Sequence, residues 1–288
     1  MKKTTRLRQL IEDKKILAMP GAYDAISAKI IEKAGFDALQ VTGFGLAAAL
    51  QGKPDIGIIS MGDMLYATRN IAQSVNIPVM ADGDTGFGNE INVYHTVKSF
   101  EEAGAAGINL EDQVFPKRCG HMEGKQVVTM EEMARKIKAA VMGRKDPDFI
   151  INARTDAIAV YGIEDAIKRG NAYAEAGADL IFVEAPNTKE EIKYVIDKIK
   201  APVSINMAQG GKTPVCTVDE LEKLGAARVS YPITALFAAA RAMEKALQVL
   251  KKNSSTEEIN DAFMSFEEFT DLVGLPDIKK IEDEINSV

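Results

Sequence analysis

The chain has 288 residues, 46% of them hydrophobic, and 42 acidic against 35 basic residues give it a net charge of -7. That is enough apolar material for one large α/β core without disulfide or metal staples. The acidic balance, with its bases dispersed, excludes a nucleic-acid partner held mainly through phosphates, and no apolar run approaches the ~18 residues that span a membrane. The first segment, "MKKTTRLRQLIEDKK", is charged and lacks the apolar core of a secretory signal, so a soluble, cytoplasmic protein is expected.

Along the chain a junction repeats: "EKAGFDALQV", "EEAGAAGINL", "AEAGADLIFV" and "EKLGAARVSY" each pass from a helix end through a glycine into an apolar run. Gly35, Gly104, Gly177 and Gly225 suit a left-handed C-cap, and the apolar residues behind them read as buried strands. Repeated αβ units of this kind imply a parallel sheet. Eight strands are predicted, near Ile16–Met19, Ala38–Thr42, Ile77–Asp82, Gly107–Glu111, Phe149–Arg154, Leu180–Glu184, Pro202–Asn206 and Arg228–Tyr231. Amphipathic stretches such as "AISAKIIEKA" and "AIKRGNAYAEA" separate most of them at helical spacing. Eight alternating units make a (β/α)8 barrel the expected α/β fold. An open doubly wound sheet is disfavoured, since "TGFGLAAA" lacks the third glycine of a dinucleotide fingerprint. The chain reads as one domain over 1–288: a barrel at about 10–250 and a C-terminal helical extension at about 254–288 without a strand of its own.

The strands end in polar residues: Thr42, Asp82, Glu111, Arg154, Glu184 and Asn206. In a barrel all of these fall on one rim, where active sites are built. Asp82 and Asp84 lie two apart, so on an extended chain both carboxylates face one way and can serve one cation. With Glu111 they form an all-oxygen set that suits Mg2+ better than zinc. Gly83, Gly86 and Gly88 leave room for tight turns and close ligand approach. The run Lys117-Arg118-Cys119-Gly120-His121 places one of two cysteines and one of two histidines among cations. Positive charge favours the thiolate and would let Cys119 pass a proton near neutral pH; the alternative is a cysteine in a polar surface turn. Cys119 and the distant Cys216 make no disulfide framework, and the cluster has too few ligands for a usual zinc site.

The segments "PGAYDAISAKIIEKAGFDA", "PDIGIISMGDM", "ADGDTGFGN", "EDQVFPKRCGH", "INARTDA" and "FVEAP" resemble, in order, the isocitrate lyase and phosphoenolpyruvate mutase superfamily over nearly the whole chain. The K-R-C-G-H loop resembles its carbon–carbon lyase branch and not its phosphonate-forming mutases. The resemblance implies a (β/α)8 barrel, dependence on Mg2+ (with Mn2+ as a substitute), and a homotetramer, a dimer of dimers with a C-terminal helix swapped between neighbours. It implies that Cys119 is the acid–base residue on a loop that closes over substrate, tuned by Lys117, Arg118 and His121, and that Arg154 grips a substrate carboxylate. It further implies Asp82, Asp84 and Glu111 at the metal, with Thr42, Gly43, Phe44, Asp55, Gly120, Glu184 and Asn206 around a small dicarboxylate.

Two departures bear on the substrate implied. Methylisocitrate lyases carry a tail arginine for a third carboxylate, where "SFEEFT" here has Phe266; guanidinium pairs with carboxylate and a phenyl ring does not. The loop "NMAQGGKTP" resembles the branch of 2,3-dimethylmalate lyase and oxaloacetate hydrolase. Gln209 stands for a glutamate common in that loop, and Gln40 where lyases have tyrosine. Cleavage of 2,3-dimethylmalate to propionate and pyruvate is therefore the expected reaction. The alternatives are 2-methylisocitrate cleavage, oxaloacetate hydrolysis or decarboxylation, and a barrel that binds a dicarboxylate without cleaving it.

Overall fold

In the computed structural model, which describes residues 1–120 and 122–287, eight strands close into a barrel in chain order. They are β1 (Leu17–Ala22), β2 (Leu39–Val41), β3 (Val79–Asp82), β4 (Gly107–Glu111), β5 (Ile150–Thr155), β6 (Leu180–Val183), β7 (Val203–Asn206) and β8 (Arg228–Tyr231). Every neighbouring pair is parallel, and β8 meets β1 with Leu17 opposite Arg228 through to Pro20 opposite Tyr231. Buried on both faces, the strands are short and largely apolar, with Gln40, Asn152, Ser204 and Arg228 among the buried polar exceptions. β4 and β8 fall where the sequence predicts them. β1 runs past its expected end at Met19, because Pro20 and Gly21 look like a turn. Gly21 is needed there, since a Cβ would strike the Pro232 carbonyl.

The helices are α1 (Lys3–Glu12), α2 (Ala25–Lys33), α3 (Gly43–Gln51), α4 (Met61–Ser74), α5 (Glu90–Glu102), α6 (Met130–Gly143), α7 (Ile158–Tyr161), α8 (Ile163–Glu175), α9 (Lys189–Lys198), α10 (Val218–Leu224), α11 (Thr234–Asn253), α12 (Phe266–Leu272) and α13 (Leu275–Asn286). Gly35, Gly104, Gly177 and Gly225 all take the positive φ of the expected caps. Leu7 and Ile11, one helical turn apart on α1, pack with Leu17, Ala38, Met80, Ala106, Ile150 and Leu180 from the start of the strands. That plug closes the N-terminal end of the barrel and leaves the opposite rim for the site. Inside, the fully buried Arg228 donates from Nη1 to Ser204 Oγ at 3.1 Å and from Nη2 to Gln40 Oε1. Gln40 is thus part of a polar layer within the barrel. Burial disfavours the Arg228 charge and lowers its pKa to about 9.

The chain divides into two compact units, Met1–Thr234 and Ala235–Val288. The second is helical: α11, a short 3-10 turn at Glu257–Ala262, α12 and α13. It bears a groove of about 1040 Å³ lined by α11 residues including Ala238, Ala242 and Ala246, with Ile259 and Phe263 opposite. Among the described residues no helix is long and apolar enough to cross a membrane.

Candidate active site

The acid cluster is built where β3 and β4 reach the rim. Asp82, the last residue of β3, accepts the Gly43 N–H on Oδ2 at 2.9 Å and the Asp84 N–H on Oδ1 at 3.1 Å. Thr42 caps α3 by accepting the Gly45 N–H, which presents the first turn of that helix to Asp82. Gly43 has to be small, for a Cβ would lie 2.8 Å from Asp82 Oδ2. Asp84 does not follow Asp82 in extended geometry as expected. The strand stops at Asp82 and Asp84 takes φ 44°, so a turn brings the two carboxylates together. Gly86 and Gly88, at φ 87° and 148°, let the chain double back.

Lys117 lies inside this cluster. Its Nζ is 2.7 Å from Asp55 Oδ1 and 2.9 Å from Asp84 Oδ1. Burial opposes its charge, but Asp84, Glu111 and Asp55 outweigh it and hold the ammonium well above the ordinary lysine pKa. Burial, only partly offset by Lys117, raises Asp84 to about 6. Burial pushes Glu111 up as well, against the pull of Arg154 and Lys117. The ammonium expected to tune the thiol is therefore committed to carboxylates.

Arg154 is the second hub. From β5 it holds Asp156 with Nε at 2.8 Å and Nη2 at 3.0 Å. It also meets Glu111 Oε2 at 3.2 Å and Glu184 Oε2 at 3.1 Å, with its guanidinium 5.2 Å from the Phe182 ring centroid. Burial alone would lower its pKa, but Asp156, Glu111 and Glu184 raise it well above the usual arginine value. Glu111, at the end of β4, thus joins the lysine cluster to the arginine cluster.

The loop between β4 and α6 carries Cys119. Gln113 fixes its approach, its side chain accepting the Arg118 N–H at 2.9 Å and donating to the Arg118 carbonyl at 2.8 Å. The Cys119 N–H donates to the Asp55 carbonyl at 3.0 Å, and its side chain is half-buried. Gly120 lies against the arginine hub: a Cβ there would be 2.5 Å from Arg154 Nη2 and from Glu184 Oε2. Arg118 is exposed and bonds the Glu123 carbonyl at 3.2 Å. His121 lies outside the described residues.

Of the remaining expected residues, Phe44 sits half-buried beside Gly43 in α3. Asn206, at the end of β7, accepts from Ser230 Oγ at 2.8 Å. Phe266 begins α12 of the second unit and is exposed. Sequence reasoning missed Asp112, Gln113, Lys125 and Asp156. The second acid of "EDQ", directly after Glu111, and the acid of "RTD", two residues after Arg154, were the available signals.

The donor set for a cation is carboxylate oxygen throughout, and Glu111 Oε1 is buried without a hydrogen-bond partner. Asp82, Asp84 and Glu111 therefore fit a hard, oxygen-binding ion such as Mg2+. Among the described residues no three acid, histidine or cysteine side chains are set together so that they could hold a metal ion as they stand.

A closed parallel barrel with its charged groups on the C-terminal rim defines an enzyme of the (β/α)8 kind. Residues 7–251 match the family model of phosphoenolpyruvate phosphomutase, and the chain belongs to that family, within the phosphoenolpyruvate mutase and isocitrate lyase superfamily. It is 45% identical to 2,3-dimethylmalate lyase of Eubacterium barkeri, with 98% of each chain covered. It is 47% identical to the chloroplastic carboxyvinyl-carboxyphosphonate phosphorylmutase of Arabidopsis thaliana, over 94% of this chain and 81% of that one. It is 41% identical to 2-methylisocitrate lyase of Aeropyrum pernix, over 97% and 90%. Among solved structures, oxaloacetate acetylhydrolase with 3,3-difluorooxalacetate superposes with TM-score 0.94 at 32% identity, covering 99% and 97% of the chains. Phosphonopyruvate hydrolase with oxalate and Mg2+ superposes with TM-score 0.90 at 34% identity, covering 98% and 99%. The relatives bear out the expected superfamily and an enzyme of the carbon–carbon lyase kind, and they include the activities expected as first and second candidates.

Proposed function

We propose that the protein is a divalent-cation-dependent lyase that breaks the C2–C3 bond of a substituted malate, 2,3-dimethylmalate being the substrate and propionate and pyruvate the products. The observation that carries the reading is the seating of Cys119 on the Asp55 carbonyl, beside an acid cluster and an arginine hub that share Glu111. Arg154 binds and orients the C1 carboxylate, and its ties to Glu111, Asp156 and Glu184 fix the guanidinium beforehand. Asp82, Asp84 and Glu111 would hold Mg2+, which would supply positive charge to stabilise negative charge developing on the substrate. A rim carboxylate accepts the C2 hydroxyl proton, the C2–C3 electron pair passes to C3, and the neighbouring carboxylate stabilises it. Cys119 then protonates C3. Lys117 offsets the cluster's charge, holding Asp55 and Asp84 in place.

A thiol on this loop supports carbon–carbon cleavage over the phosphoryl chemistry in the family's name, because a carbanion needs a proton donor and a migrating phosphoryl group does not. The reading includes a homotetramer acting on a small dicarboxylate. It is supported by the apolar residues the second unit exposes, among them Met243, Leu247, Phe263, Phe269, Ile278 and Ile281. Pyruvate release from 2,3-dimethylmalate, 2-methylisocitrate, oxaloacetate and phosphonopyruvate, with and without Mg2+, tests the activity. Dimethylmalate turning over fastest supports the reading; release from none of them leaves a binding barrel.

A further inference from the structure

Lys125 lies four residues past the expected loop motif, yet it is 9% exposed and its ammonium is turned inward. It makes two bonds. One goes to the backbone carbonyl of Gly120, the residue after Cys119, and the other to Asp156 Oδ1 at 2.8 Å. That Asp156 oxygen also accepts from Arg154 Nη2 at 3.0 Å, while the other, Oδ2, takes Arg154 Nε at 2.8 Å. Burial alone would raise the Asp156 pKa, but Arg154 and Lys125 overcome it and lower the carboxyl to about 2. Asp156 is therefore a charged bridge with a guanidinium on one side and an ammonium on the other.

The consequence is geometric. The loop bearing Cys119 is anchored at the Asp55 carbonyl through the Cys119 N–H and at Asp156 through Lys125. Gly120 itself lies so close to Arg154 and Glu184 that a Cβ there would lie 2.5 Å from both and displace one of them. Resting on the reading of Cys119 as proton donor and Arg154 as carboxylate clamp, we infer that Lys125 is a positioning residue. It latches the Cys119 loop to the rear of Arg154, so that the donor and the clamp are set by one shared carboxylate. Lys125 touches no substrate. It fixes the distance between the group that holds C1 and the group that protonates C3.

The latch is read without substrate, by the rate at which iodoacetamide alkylates Cys119 in the full chain carrying Cys216→Ser. Lys125→Met removes both bonds and keeps the stem. Losing bonds to charged groups should raise the alkylation rate about tenfold or more, because the loop opens more often. Lys125→Arg keeps the donors and should stay within about twofold of the parent. In the pyruvate-release assay Lys125→Met should lower kcat by about tenfold with a smaller change in KM, as expected for lost positioning rather than lost binding. Gly120→Ala breaks the same seat from the other side and should also speed alkylation. It decides the matter if Lys125→Met fails to fold. Parental alkylation rates in both variants, or an opened loop with unchanged kcat, would overturn the proposal. A chain that cleaves none of the compounds but alkylates faster in the variants would keep the latch and overturn only the proposed function.

Discussion

Cys119 and Asp55 are joined by a backbone hydrogen bond of 3.0 Å, while the Asp55 carboxylate holds Lys117 at 2.7 Å. One residue thus seats the thiol loop and anchors the acid cluster, though the two cysteines of the chain differ sharply in setting. Cys119 is half-buried on the rim loop; Cys216 is buried in the apolar core, where burial raises its pKa.

The first prediction follows from that difference. Cys119→Ser should keep the fold and lower kcat by roughly 10²-fold or more, the usual scale for a lost general acid. Cys216→Ser should leave kcat within about twofold, as expected of a group away from the chemistry. Pyruvate release and thermal unfolding on both variants check this. Equal losses of activity from the two would return Cys119 to the status of a surface-turn residue.

The acid cluster gives the second. Chelation should abolish turnover, and Mg2+ or Mn2+ should restore it. Asp82→Ala removes a proposed ligand and the acceptor for the Gly43 and Asp84 N–H groups. Excess Mg2+ should therefore not rescue it. Isothermal titration with Mg2+ gives a second readout, with binding to the parent and none to the variant. Full activity in chelator would remove the cation from the reaction.

These groups were legible in the sequence to different degrees. Strand-end acids and Arg154 stood out because β4 and β5, though each holds one asparagine, are largely apolar and carry a charged residue at or next to their end. The facing of Asp82 and Asp84 was misjudged because a two-residue period holds only while the strand continues, and β3 ends at Asp82. Lys125 and Asp156 are 31 residues apart, and nothing local marks either as a partner. Gln40, a departure from the family pattern in the sequence, belongs to the barrel interior, where Arg228, 188 positions away, donates to its side-chain oxygen. Periodicity reports which face of an element is buried; it does not report which charge meets which across a barrel.

The third prediction concerns Phe266, which by resemblance stands where tricarboxylate enzymes carry arginine. A third carboxylate would lose a charge-assisted bond of about 1.5–3 kcal/mol, so dimethylmalate should exceed 2-methylisocitrate in kcat/KM by roughly tenfold or more. Phe266→Arg should narrow that ratio by improving the tricarboxylate. Faster wild-type turnover of 2-methylisocitrate would overturn the substrate assignment and leave the lyase chemistry standing.

The last prediction concerns Asp112, which supports the site from behind. It is fully buried and accepts from Thr155 Oγ1 at 2.7 Å, the Asp156 N–H at 2.9 Å, Tyr173 Oη at 2.8 Å and Arg169 Nη1 at 3.2 Å. Asp112→Ala takes the buried partner from Arg169, which keeps the part-exposed Asp165 at 2.6 Å. The cost should therefore fall at the lower end of that for breaking a buried charge pair, about 3 kcal/mol. It also frees the Asp156 backbone that presents the Arg154 clamp, so kcat/KM should fall with stability. Tyr173→Phe removes only one donor to the carboxylate and should cost about 1.5–3 kcal/mol, with activity nearly retained. Burial and the Asp112 charge both push the Tyr173 phenol above its ordinary pKa, so the fold favours its neutral form. Its contribution is therefore present in full below about pH 10, the value for an exposed tyrosine, and is lost as pH rises beyond it. Urea unfolding of the parent and Tyr173→Phe at pH 8 and again above about pH 10 measures this. The stability gap should shrink at the higher pH. A gap that stays constant, or an Asp112→Ala protein as stable as its parent, would show that Asp112 is not the keystone its four donors indicate.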